Sequence, residues 1–107
     1  KKTDILERLS PLLIERKNYA EDNSYTNQLY NAGNVKILEK IKEEASELIE
    51  AGSIEKVIKK EIVHEAADLW FHTMVLLAFN EINPLEILNE LERREGVSGI
   101  EEKSRRS

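Results

Sequence analysis

The sequence predicts an all-α fold: a small bundle of four to five helices around a central antiparallel pair, completed by homodimerisation. Three observations predict it. Glycine and proline are scarce, four and two in 107 residues, while Glu, Lys, Leu and Ile abound; that balance favours helices and leaves few turns for a sheet protein. Apolar residues recur at three- and four-residue spacing, with no strand-like alternation. Finally, Ala66 to Phe79 is apolar almost all round a helix. A helix of that kind is normally buried on every side, and the few other helices of so short a chain cannot surround it, so a second copy is expected to cover part of it.

The first helix is expected from Asp4, capped by Thr3, with Ile5, Leu9, Leu12, Leu13 and Ile14 as its apolar stripe. Ser10-Pro11 should kink it, or restart it with Ser10 as cap. Asn18 to Asn23 reads as a polar loop. Ser24 then caps a short helix, Tyr25 to Asn31, closed by Gly33. Asn34 caps a third helix, about Val35 to Ala51, whose broad apolar face holds Ile37, Ile41, Ala45, Leu48 and Ile49. Gly52 ends it and Ser53 caps a fourth, Ile54 to about Glu81, amphipathic at first, with Lys56, Lys59 and Lys60. Asn83 caps a fifth helix with Pro84 as its first residue; Leu85, Leu88, Leu91 and Ile87 form its inner face up to Arg94, and Gly96 stops it. Residues 97 to 107 read as a frayed tail. No repeat or linker divides the chain, so residues 1–107 are expected to form one domain.

Composition excludes several functions. The net charge of -5 gives no electrostatic case for nucleic-acid binding. Without cysteine there is no disulfide and no thiolate metal site, which suits a reducing compartment. Lys1 to Asn18 is charged and amphipathic, unlike a secretory signal. The longest dense apolar run, the 11 residues Leu69 to Phe79, is well short of the roughly 20 that cross a bilayer. A cytoplasmic setting with no membrane partner is expected.

Two acidic clusters carry the chemistry. Glu44 and Glu47, and Glu65 and Asp68, are each three residues apart and so share a helix face. At about 100° per residue, Lys40, Glu44, Glu47 and Ala51 form a narrow stripe bordering the core face, with Glu43 at its edge. In the fourth helix Glu61, Glu65, Asp68 and His72 form one polar stripe through apolar surroundings. Carboxylates in such places need compensation. If the two helices fold back on each other, four carboxylates converge, and a cation must sit among them to offset their repulsion. Oxygen ligands of this kind suit Mg²⁺, which commonly works with phosphates. The expectation is a Mg²⁺ site for phosphate chemistry, in which a carboxylate outside the ligand set activates water. Glu43, Glu44 and Glu47 are the catalytic candidates, equivalent on spacing alone.

Other patterns carry less. A single Glu61-x-x-His64 is half of what a di-iron bundle requires. His72 is expected to be a hydrogen-bonded supporting residue rather than a ligand. Trp70, Phe71, Met74 and Phe79 read as core and dimer contacts. No GxxxxGK[ST] loop is present, and no His/Asp pattern accompanies Ser24 or Thr26.

These residues resemble a known family. The Glu44-x-x-Glu47 and Glu65-x-x-Asp68 pattern is similar to the all-α nucleoside triphosphate pyrophosphohydrolases, which include the MazG and dimeric dUTPase proteins. Within that superfamily the chain resembles the phosphoribosyl-ATP pyrophosphohydrolases of histidine biosynthesis. The likeness runs through Thr3-Asp4-Ile5-Leu6-Glu7-Arg8-Leu9, Ser24-Tyr25-Thr26, His64-Glu65-Ala66-Ala67-Asp68-Leu69 and Ser98-Gly99-Ile100-Glu101-Glu102-Lys103. It implies hydrolysis of phosphoribosyl-ATP to phosphoribosyl-AMP and pyrophosphate, the second step of that pathway, by a dimer. It also implies Mg²⁺, with Mn²⁺ as a substitute, held by Glu44, Glu47, Glu65 and Asp68, with Glu43 as an auxiliary carboxylate. Lys42 stands where the family often has glycine, but lies off the acidic stripe. A polyanionic substrate needs cations near such a site; Lys36, Lys40, Arg94 and Lys103 are the candidates. The alternatives are a house-cleaning enzyme acting on a nucleotide such as dUTP or dCTP, and a non-catalytic helical dimer.

Overall fold

A computed structural model of the chain describes residues 4–18 and 24–95. Among them are five helices and no strand: α1 Ile5–Asn18, α2 Tyr25–Ala32, α3 Asn34–Ser53, α4 Lys59–Phe79 and α5 Glu86–Glu95. Thr3, residues 19–23, Gly96 and the tail lie outside the described residues, and the expectations for them with it.

The centre is an antiparallel pair, α3 against α4. Asn80, just past α4, donates its side-chain amide to Asn34 at the start of α3. Midway Glu44 meets His72, and further along Glu47 lies beside Glu65. That crossing order brings the two acidic clusters together.

α1 and α2 cover one side of the pair. Leu13, Leu29, Tyr30, Ile37, Met74, Val75 and Ala78 form the buried core, one to three residues from each of the first four helices, with Leu6, Leu9, Ile14 and Phe71 packed around them. Polar ties hold the layers in register. The Tyr30 hydroxyl donates to the Leu13 carbonyl over 2.9 Å. Lys17 donates to the Phe79 carbonyl at the end of α4 over 2.6 Å, where α4 has acceptors without helical donors; its ammonium also lies 5.4 Å from the centre of the Phe79 ring.

Local chemistry explains where elements start and stop, and corrects several expectations. α1 runs through Ser10-Pro11 without a restart. Ser10 is fully buried and donates to the Leu6 carbonyl, 2.7 Å away, so it is tied into its own helix instead of capping a new one. Ser24 does cap α2, accepting from the Asn27 amide at 3.2 Å. Gly33 closes α2 with φ 94 and ψ 179, a region essentially restricted to glycine. α3 then begins at once, so Asn34 is its first residue and not its cap.

The largest correction is the start of α4. α3 continues through Ser53, whose hydroxyl donates back to the Ile49 carbonyl at 2.6 Å, so Ser53 does not cap the next helix. Residues 54–58 are irregular, and α4 begins at Lys59. Ile54 and Ile58 are extended, the conformation β-branched residues favour. Ile49, expected in the core, is two-thirds exposed.

Asn83 accepts from the Leu85 amide at 2.9 Å and so starts a turn that becomes regular helix at Glu86. The expected inner face of α5 is not buried within one chain. No residue of α5 is buried, and Ile87, Leu88 and Leu91 instead line an open apolar cleft of about 400 Å³ with Leu6, Trp70 and Met74. Trp70 itself is 63% exposed. α4, at 21 residues, is long and apolar enough to cross a bilayer by length and composition, but it packs along α3 and turns Glu65, Asp68 and His72 toward the polar cluster.

Candidate metal centre

The site forms where the middle of α3 faces the first half of α4. Glu44 is 7% exposed. Its Oε1 lies 3.8 Å from Nδ1 of His72; its Oε2 is buried without a hydrogen-bond partner, as is Oε2 of Glu65. One oxygen each of Glu44, Glu47 and Glu65 lies within 4.8 Å of the others. Glu65 also belongs to a second group of the same reach, with His64 and Asp68. Nε2 of His64 lies 3.3 Å from Asp68 Oδ2. The fold therefore brings three of the four expected carboxylates into one group, and joins Asp68 to it through Glu65. Glu61, at the start of the expected stripe, is exposed.

The electrostatics express this crowding. Burial, then the charges of Asp68 and Glu47, push the Glu44 carboxyl above its ordinary value, with Lys40 pulling the other way. Glu65 is pushed up first by the Glu47 carboxyl beside it, then by burial. Carboxyls this close hold protons between them when no cation is near. Buried carboxylate oxygens with no partner are rare. Two of them, in an all-oxygen group, fit a hard divalent cation such as Mg²⁺.

Glu43 stands outside the two carboxylate groups: it is exposed and accepts a hydrogen bond from Lys40 over 3.1 Å. That bond is the first cause raising the Lys40 ammonium above its usual value. Lys36 is exposed and 3.6 Å from Glu39. Arg94 donates to Glu90 over 2.9 Å; with Arg93 it holds the Glu90 carboxyl at about 2. Lys103 lies outside the described residues.

Sequence reasoning missed Tyr25. Its hydroxyl is 2.8 Å from Nε2 of His72, and its ring meets the imidazole edge-on, with centres 5.8 Å apart and planes at 87°. Burial raises the phenol above its ordinary value, opposed by Lys40 and assisted by Glu44, Glu43 and Asp68. Those neighbours place the hydroxyl at the edge of the cluster. The two residues are 47 positions apart, and no local pattern announces the contact.

Known proteins complete the picture. The family described as phosphoribosyl-ATP pyrophosphohydrolase matches residues 6–95, which include both carboxylate pairs. Among similar proteins is the phosphoribosyl-ATP pyrophosphatase of Ruthia magnifica, 48% identical over 104 residues, covering 97% of each chain. The phosphoribosyl-ATP pyrophosphatase of Geobacter metallireducens is 50% identical over 103 residues, 96% of this chain and 93% of that protein. The Geobacter sulfurreducens protein of the same name is 46% identical over 104 residues, 97% and 94% of the two chains. Near-complete coverage at such identity, together with the match to the family, establishes that this chain belongs to the phosphoribosyl-ATP pyrophosphohydrolase family.

Proposed function

We propose that the chain hydrolyses phosphoribosyl-ATP to phosphoribosyl-AMP and pyrophosphate, the second step of histidine biosynthesis. In this reading Mg²⁺, or Mn²⁺ in its place, is held by Glu44, Glu47, Glu65 and Asp68. The observation that carries it is the pair of partnerless buried oxygens on Glu44 and Glu65, in a chain whose relatives are named for this substrate. When bound, the cation would offset phosphate charge and polarise the anhydride.

The protein's own groups do the rest. α3 and α4 hold the four carboxylates at fixed spacing, so the substrate meets a preorganised site. Glu44 is the most deeply buried of the three catalytic candidates, and Glu47 lies within the carboxylate group. Glu43 is the carboxylate outside it, so Glu43 takes the proton of the attacking water. Lys40, bonded to Glu43, turns to a substrate phosphate as the water loses its proton. Lys36, Arg94 and Lys103 are further cations for the polyphosphate. The exposed Trp70 and the apolar cleft beside α5 support a homodimer, in which a second copy covers that face.

The test is pyrophosphate release with Mg²⁺ from phosphoribosyl-ATP, set against a panel of nucleoside triphosphates, for wild type and Glu47→Ala. Turnover of phosphoribosyl-ATP that is lost in the variant is expected. Turnover of dUTP or dCTP instead would keep the site and reject the substrate.

A further inference from the structure

We infer that Tyr25 and His72 are a positioning pair for the carboxylate group: the tyrosine hydroxyl, together with the Asp68 carbonyl, holds the imidazole in the tautomer whose Nδ1–H lies beside Glu44. The inference rests on the cation site proposed above and extends it to α2.

For a neutral ring the hydrogen-bond arrangement allows one assignment. Nδ1 of His72 lies 2.9 Å from the Asp68 backbone carbonyl. A carbonyl accepts and never donates, so Nδ1 carries the hydrogen. In a neutral ring Nε2 is then the acceptor, and the Tyr25 hydroxyl 2.8 Å away donates to it. The same Nδ1 lies 3.8 Å from Glu44 Oε1, too far for a second hydrogen bond, so the N–H held by the carbonyl sets its partial positive charge beside the carboxylate. One oxygen of Glu44 is thereby turned toward His72, and the other, Oε2, is left for the cation. Outer groups that orient a ligand in this way are part of many metal sites.

The pair is held rigidly. His72 is 5% exposed, and Phe71 meets its ring edge-on, with centres 5.4 Å apart. Tyr25 stands in the first turn of α2, next to the buried Thr26 and Asn27. Asn27 donates its side-chain amide to the Arg16 carbonyl of α1 over 2.8 Å. The first turn of α2 is thus fixed to α1 on one side and reaches the carboxylate group through Tyr25 on the other.

The experiment uses Tyr25→Phe. Tyr25 is 46% exposed, so loss of its hydroxyl leaves the fold intact, which an unchanged melting temperature of the metal-free variant would verify. The chain has two histidines, so ¹⁵N-histidine labelling gives a readable long-range ¹H–¹⁵N spectrum. At mildly alkaline pH the metal-free wild type should show His72 as the Nδ1–H tautomer, and the variant should move those ring signals toward a tautomer mixture. Mn²⁺ titrated alone, followed by the resonance of the free ion, should bind the variant about tenfold more weakly. Unmoved His72 signals, an Nε2–H tautomer in the wild type, or unchanged Mn²⁺ affinity each overturn the inference and leave the proposed function standing. A wild type that binds no Mn²⁺ overturns the proposed cation site, and this inference with it.

Discussion

Glu44 and His72 meet across the α3–α4 interface with Oε1 and Nδ1 3.8 Å apart, both side chains more than nine-tenths buried. The other Glu44 oxygen has no partner. Without a cation, the metal-free fold therefore carries a buried carboxylate that opposes its stability. Glu44→Gln removes that charge at nearly constant volume. Thermal denaturation without metal at neutral pH should show the variant melting about 4 °C above wild type, the shift that about 1 kcal/mol gives in a domain of this size. Its turnover should fall about a hundredfold or more, and Mn²⁺ should no longer raise its melting temperature. A variant less stable than wild type under metal-free conditions would count against the site.

The pH dependence of stability follows from the same groups. Glu44 and Glu65 both have carboxyls raised above the ordinary 4.5, so the folded state binds their protons more tightly than the unfolded state does. Their contribution to stability is complete below 4.5 and is lost as pH rises through the raised folded values. Glu90, held at about 2 by its arginines, acts in the opposite sense: its contribution is present above its ordinary value and fades as pH falls toward about 2. That pair is solvent-exposed and screened, so it counts for little. The metal-free melting temperature should decline from pH 4.5 toward neutrality. Saturating Mn²⁺ should flatten the decline, since a ligand at a hundred times its Kd adds about 2.7 kcal/mol. Calorimetry across that window with and without the ion checks both statements.

Lys40 borders the cluster: it bonds Glu43 and its charge is felt by Tyr25 and Glu44. Lys40→Met keeps the apolar stem and removes the charge. Steady-state kinetics should show KM rising about tenfold, the scale of one hydrogen bond to a charged group, with a smaller change in kcat. Lys36→Ala, at a more exposed position paired with Glu39, should raise KM by less than Lys40→Met does. The reverse order would move the phosphate contact from Lys40 to Lys36.

The exposed face of α4 predicts association. Trp70 stands at the rim of an apolar cleft that α5 leaves open. Sedimentation should find the wild type as a dimer and Trp70→Glu as a monomer of unchanged helical content. A monomeric wild type at micromolar concentration would leave the apolar face without its proposed cover.

Much of this was legible in the sequence, for reasons that are themselves local. Two carboxylate pairs at a spacing of three had to lie on one side of each helix, and the short connection between α3 and α4 made those sides face each other. Ser24 announced α2 by its capping chemistry. Other features depend on tertiary packing. Ile54, Val57 and Ile58 continue a helical apolar pattern, yet they form the extended connection. Asn34 has the chemistry of a cap, yet Gly33 hands the chain directly from α2 to α3, and the Asn34 side chain accepts from Asn80. The contact of Tyr25 with His72 exists only once α2 is packed against α4. Leu88 and Leu91 read as an inner face, but among the described residues they line an open cleft and stay exposed.

α4 has no idle side. Met74, Val75 and Ala78 fill the core, Glu65, Asp68 and His72 serve the carboxylate group, and Trp70 and Val63 face outward. Saturation mutagenesis should find intolerance spread around this helix with no 3.6-residue rhythm, whereas α5, charged on its outer side, should show a strong rhythm. Sequence change in this chain is then channelled away from α4. A lineage adapting to a different nucleotide would have to vary the helices around it while the central strut stayed nearly constant.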